Sequence, residues 1–95
     1  MIKVSVNYPS GEGTTFDHDY YANSHVPLCL ATWKPMKSEI EKGLDGPNVA
    51  GVNFYFDTMA DFHAAFAAAA TGDVLADVAN CTNITPVVQV SEIVG

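Results

Sequence analysis

The sequence predicts a small α+β domain in which one layer of helices covers one sheet. Three observations predict it. Four segments carry strand-like composition, most with apolar and polar residues in alternation. Two segments repeat apolar residues at helical spacing. Their order is strand, helix, strand, strand, helix, strand. The 95 residues form a single domain, 1–95, with no repeat and no linker. A domain of this size buries roughly 60–65% of its unfolded surface, so its core is modest and a partner subunit would help.

In IKVSVNY, residues Ile2, Val4, Val6 and Tyr8 point one way and Lys3, Ser5 and Asn7 the other, as in a half-buried strand. PSGEG follows as a loop. Asp17 can then cap a helix, with Phe16 and Tyr21 as its hydrophobic staple. Tyr21, His25 and Leu28 share a face through the i, i+4, i+7 spacing. Pro27 lies inside this run. It lacks a backbone donor and crowds the preceding turn, at about 3 kcal/mol. A kink is expected there, freeing the Asn23 carbonyl and aiming His25 at the sheet, before the helix resumes through LCLATW.

MKSEIEKG reads as a charged edge strand and LDGPN as a turn. VAGVNFYFD sets Val52, Phe54 and Phe56 against Gly51, Asn53 and Tyr55. TMADFHAAFAAAA is a helix with a Thr58–Asp61 capping box and a buried stripe of Phe62, Phe66 and Ala69 or Ala70. Gly72 and Asp73 should end it, with DVLADVAN a short second piece capped at Asp73. TPVVQVSEIV is the last strand.

This order is the split βαβ, ferredoxin-like arrangement: βαββαβ, a four-stranded antiparallel sheet with both helices on one face. The apolar strand faces should meet the helices. The other face carries Ser5, Asn7, Asn53, Tyr55, Gln89 and Ser91. That face is too uncharged for open solvent and too polar for a dry core. It suggests a cavity closed by a second subunit.

Composition excludes several functions. Four lysines, no arginine and 11 acidic residues give a net charge of −7, which makes nucleic acid and anionic membranes unlikely partners. Cys29 and Cys81 are too few and too far apart for a disulfide framework or zinc site, though one bridge between them stays open. No apolar run reaches transmembrane length and MIKVSVNYP is too short for a signal peptide, so a cytoplasmic location is expected.

FDHDYYANSHVPL resembles the first-helix signature of the EthD family, named for a protein of fuel-ether degradation. EKGL, FYFDTMADFHAAFAA and DVANCTNITPVVQVSEI resemble the family's later segments, so the likeness spans nearly the whole chain. Carried over by position, the signature falls on Phe16, Asp17, Tyr20, Tyr21, His25, Pro27 and Leu28. Ala79 and Cys81 depart from relatives that often have proline and an aromatic residue there. The resemblance implies a dimeric α/β barrel: a homodimer of two ferredoxin-like chains, sheet to sheet, with a pocket in each half. It does not fix the chemistry, because one fold hosts many activities.

His25 is the candidate catalytic residue, since an imidazole accepts and returns protons near neutrality. The competing reading is a structural hydrogen bond that locks the helix to the sheet. Candidate substrate contacts are Asn7, Tyr21, Trp33, Asn53, Tyr55 and Gln89. Their polar groups could steady an oxyanion, or pair with one another across a dimer. His18 and His63 are expected outside the core. Asp17, His18, Asp19 and His25 fan around the helix, so no metal site is expected. No glycine-rich phosphate loop occurs, and no cofactor is expected. Three readings follow. The first is a cofactor-independent enzyme acting on a small apolar or aromatic carbonyl metabolite by isomerisation, cyclisation or decarboxylation. The second is a non-catalytic accessory or binding dimer. The third is a haem-binding barrel with His25 as axial ligand.

Overall fold

The structure, a computed structural model, describes residues 1–95. Strand β1 (Ile2–Pro9) leads to a composite helix made of α1 (His18–Tyr20), a π turn (Tyr21–His25) and α2 (Val26–Trp33). Strands β2 (Lys37–Lys42) and β3 (Asn48–Phe56) form a hairpin. Helices α3 (Met59–Phe66) and α4 (Thr71–Asp77) follow, then a 3₁₀ turn (Val78–Asn80) and strand β4 (Val87–Glu92). The sheet is antiparallel throughout, in the order β2-β3-β1-β4. This is the expected ferredoxin-like fold, with β2 at an edge.

The strand phases hold. Ile2, Val4, Tyr8, Ala50, Val52, Phe54 and Phe56 are buried together in the core with Tyr21, Val26, Cys29 and Trp33 from the helical layer. Cross-strand pairing sets Ser5 between Asn53 and Gln89, and Asn7 between Gly51 and Val87. These residues occupy the opposite face of the sheet, because side chains alternate along a strand. A Cβ at Gly51 would come within 2.8 Å of the Asn7 side-chain oxygen, so a larger residue there would make Asn7 shift.

Both caps form. The Asp17 carboxylate accepts from the Tyr20 N–H at 3.0 Å, and the Thr58 hydroxyl accepts from the Asp61 N–H at 3.1 Å. Two boundaries differ from expectation. Helix α3 stops at Phe66, and α4 starts at Thr71 rather than Asp73. Ala69 and Ala70 are exposed and bury no stripe. Alanine favours helix but offers too little apolar area to hold a further turn against the sheet, so packing ends with Phe66. The Phe66 ring stacks on Trp33 at 4.0 Å, and the Trp33 indole N–H donates to the Thr71 hydroxyl at 2.9 Å, which fastens the start of α4.

The distortion near Pro27 also lies earlier than expected. It is the π turn, in which the Val26 N–H reaches back five residues to the Tyr21 carbonyl. Pro27 then sits in the first turn of α2, where a missing N–H costs little. Ala22 and Asn23, whose carbonyls precede it, are exposed to water. The extra residue rotates the helix, so Leu28 turns outward at 38% exposure and Cys29 takes its place inside. The buried line becomes Tyr21, His25, Cys29 and Trp33, four residues apart.

Candidate active site: a buried histidine–aspartate pair

The π turn presents His25 inward, and α4 ends beside it at Asp77. His25 is 3% exposed. Its Nδ1 lies 2.9 Å from Asp77 Oδ2. The other carboxylate oxygen accepts from the Tyr20 hydroxyl at 2.8 Å and from the Asn80 side-chain amide at 2.9 Å. These bonds, from Asn80 first and then His25 and Tyr20, hold the Asp77 carboxyl below its usual range. The same contact with Asp77 raises the Tyr20 phenol.

An ionised carboxylate can only accept, so His25 Nδ1 must carry a proton, and in the neutral ring Nε2 then holds the lone pair. Nε2 faces the Cys29 sulfur at 3.6 Å. Burial pushes the Cys29 thiol up to about 12, so it is a neutral S–H and no nucleophilic thiolate. The ring of Tyr21 stacks on His25 at 5.4 Å. Behind them lies an apolar cavity of about 60 Å³ between sheet and helices, lined by Tyr8, Tyr21, His25, Cys29, Trp33 and neighbouring aliphatic side chains. Its rim includes Leu75 and Val88, which are exposed at 59% and 55%.

The sheet divides the candidate residues. His25, Tyr21 and Trp33 meet on the helix side. Asn7, Asn53, Tyr55 and Gln89 lie on the far side, where they cannot reach a group bound at His25 within the same chain. There three of them bond neighbours on the same face. The Tyr55 hydroxyl donates to Glu39 at 2.6 Å, Asn53 reaches the same oxygen at 3.4 Å, and Gln89 donates to Ser91 at 3.1 Å. The Tyr55 bond is the main cause that lowers the Glu39 carboxyl.

Two functional neighbours, Asp77 and Cys29, escaped the sequence reading. Asp77 stands three residues after buried Val74, at the border of the buried stripe of α4, and that position was its only signal. A wider groove of about 740 Å³ runs between Thr15–Asp19 and Ala79–Asn83. Part of its polar lining is committed to the backbone: Thr82 donates to the Thr15 carbonyl, and Asn83 accepts from the Thr15 N–H and donates to the Gly13 carbonyl. His18 rests against Phe16 and His63 is exposed. No three His, Cys, Asp or Glu side chains gather as a metal site, and both cysteines are free. No helix is long and apolar enough to cross a membrane.

Asp77 has a pH consequence. Its folded-state pKa lies below the unfolded value, so its stabilisation is complete above about pH 5 and fades as pH falls through the folded pKa. Urea midpoints measured from pH 6 downward should therefore fall more steeply for the wild type than for Asp77→Asn, which has no proton to gain. Parallel curves would show that Asp77 is not held as a carboxylate.

Fold and site together define a ferredoxin-like α+β protein with a buried histidine–carboxylate pair beside an apolar cavity. No protein-family model matches the chain, and neither does any curated protein. Solved structures do match. An EthD-like protein from Ralstonia eutropha JMP134 is 40% identical, covers 99% of this chain and 92% of its own, and superposes with a TM-score of 0.89. An EthD family protein from Bacillus halodurans C-125 gives 0.80 at 16% identity, with 99% of both chains covered. A candidate antibiotic biosynthesis monooxygenase from Deinococcus radiodurans gives 0.68 at 13% identity, over 100% of this chain and 94% of its own. The last two likenesses are of fold alone. The first establishes kinship: the chain belongs to the EthD family.

Proposed function

We propose that the chain is a cofactor-independent enzyme acting on a small apolar or aromatic carbonyl compound. The observation that carries this is the Asp77 carboxylate on His25 Nδ1, in a ring that lines an apolar cavity and whose Nε2 has only the neutral Cys29 thiol beside it, at 3.6 Å. Nε2 takes the proton from the carbon beside the carbonyl, the C–H electron pair becomes the carbon–carbon double bond, and the carbonyl π pair moves onto oxygen to give an enolate. Returning the proton elsewhere isomerises the compound; attack by the enolate carbon cyclises it. In a decarboxylation, Nε2 takes the proton of the substrate's neutral acid group, loss of carbon dioxide leaves the enolate, and the imidazolium so formed protonates it. Asp77 steadies that imidazolium and fixes the ring.

Deuterium exchange tests this without the natural substrate. Acetophenone in D₂O should lose its methyl proton signal faster with the protein than without it. An unchanged rate would contradict the reading.

The non-catalytic reading has one observation in its favour. Asp77 joins Tyr20, His25 and Asn80, and so ties the composite helix to α4 with or without turnover. The single chain's cavity beside His25, about 60 Å³, holds no macrocycle, so no observation favours the haem reading.

The working assembly in this proposal is a homodimer with the two uncovered sheet faces together. Buried Asn53 on that face supports it, as do the small core and the family resemblance. Light scattering should give about twice the 10.1 kDa chain mass. A clean monomer at micromolar concentration would remove the barrel.

A further inference from the structure

Tyr21 is 1% exposed, yet its hydroxyl makes no hydrogen bond of ordinary length and angle in the chain, although the Tyr8 hydroxyl lies near enough to act on it. A buried phenol without a partner is uncommon, because losing its hydrogen bonds to water is costly. Its ring is clamped by three others: Tyr8 and Phe16 edge-on at 5.3 and 5.0 Å, and His25 in a stack at 5.4 Å. It has little freedom to turn elsewhere. Burial also holds the phenol above its ordinary range, so it remains a proton donor at any working pH.

The surroundings restrict what could accept that hydrogen bond. The cavity that Tyr21 and His25 share has no lysine among its lining residues, and Asp77 lies directly behind the imidazole. With His25 neutral, an anionic head group would meet apolar walls and a carboxylate with no cation to offset it. The enclosed volume, about 60 Å³, admits only a small head group. The rest of a ligand would emerge past the apolar side chains of Leu75, Pro86 and Val88.

We propose that the Tyr21 hydroxyl is the oxygen-binding donor of this site, and that the site selects an uncharged carbonyl head group on an apolar body over the corresponding carboxylate. This rests on the proposed role of His25 and specifies it. Base and donor stand side by side, so the proton leaves toward Nε2 while the enolate oxygen gathers charge beside the phenol. It also supplies, from the His25 side of the sheet, the oxyanion group that Asn7, Tyr55 and Gln89 cannot provide.

The test uses acetophenone and benzoate, which share a ring and differ in head group, with binding followed by NMR shifts of the cavity rings. Acetophenone should bind the wild type more tightly than benzoate. Tyr21→Phe removes one oxygen that makes no hydrogen bond of ordinary geometry in the chain, so its melting temperature should change little. Its affinity for acetophenone should fall about threefold to tenfold, the worth of one neutral hydrogen bond. Equal acetophenone binding by wild type and Tyr21→Phe would overturn the proposal. So would benzoate binding as tightly as acetophenone, or no acetophenone binding at all. Deuterium exchange separates this from the His25 reading. If exchange depends on His25 while Tyr21→Phe binds normally, only the Tyr21 proposal fails. If Tyr21→Phe weakens binding but no exchange occurs, the donor stands and the enzyme reading falls.

Discussion

His25→Gln is expected to remove most of the turnover and leave the fold in place. A general base contributes about 10²–10⁴-fold, so acetophenone exchange should drop toward the uncatalysed rate. The stability cost should stay below about 1.5 kcal/mol, because the change roughly conserves volume. A glutamine amide can still donate to Asp77, which also keeps its bonds from Tyr20 and Asn80. The opposite pattern, a large loss of melting temperature with exchange retained per folded molecule, would make His25 a structural pin between the composite helix and α4.

Asp77→Asn should have nearly as large an effect on turnover by a different route. Asp77 touches no reacting atom; it is a positioning residue. An amide can present either oxygen or nitrogen to His25 Nδ1, so the ring is no longer confined to one tautomer. Where Nε2 carries the proton, the base is lost, and exchange should fall by at least about tenfold. Losing the charge on hydrogen bonds to a carboxylate whose side chain is 16% exposed should cost about 1–2 kcal/mol. Asp77→Glu, which keeps the charge, should recover part of the exchange if its longer arm still reaches Nδ1. A purely structural role would let the asparagine variant retain both exchange and the single tautomer.

The architecture was legible because it rests on periodicity. Alternation in IKVSVNY and VAGVNFYFD fixed both strands and both faces, and the cap residues Asp17 and Thr58 stand where the helices begin. Errors arose where periodicity has no purchase. The π turn adds one residue to a helical turn, and no composition announces it. It exchanged Leu28 for Cys29 on the inner face. The alanine run looked like helix, yet lacked the apolar area that decides where packing stops.

The site was half legible. His25 and Tyr21 stand out beside Pro27, but Asp77 lies 52 residues away and is joined to them only through tertiary packing. The outlying candidates teach a different lesson. Asn7, Asn53, Tyr55 and Gln89 alternate with core residues such as Val6, Val52 and Phe54. The phases that put the valines and Phe54 under the helices therefore put those polar groups across the sheet from His25. Placing them in one pocket with the histidine conflicted with the strand pattern itself.

The central claim is that His25 is a neutral base with its proton on Nδ1 and its lone pair on the cavity side. Long-range ¹H–¹⁵N correlation of the imidazole in uniformly labelled protein above the range where histidines protonate reads this directly. The account predicts a protonated, Asp77-bonded Nδ1 and an unprotonated Nε2, with the Nε2 resonance moving when acetophenone is added. A proton on Nε2, or an Nε2 resonance indifferent to acetophenone, would contradict it.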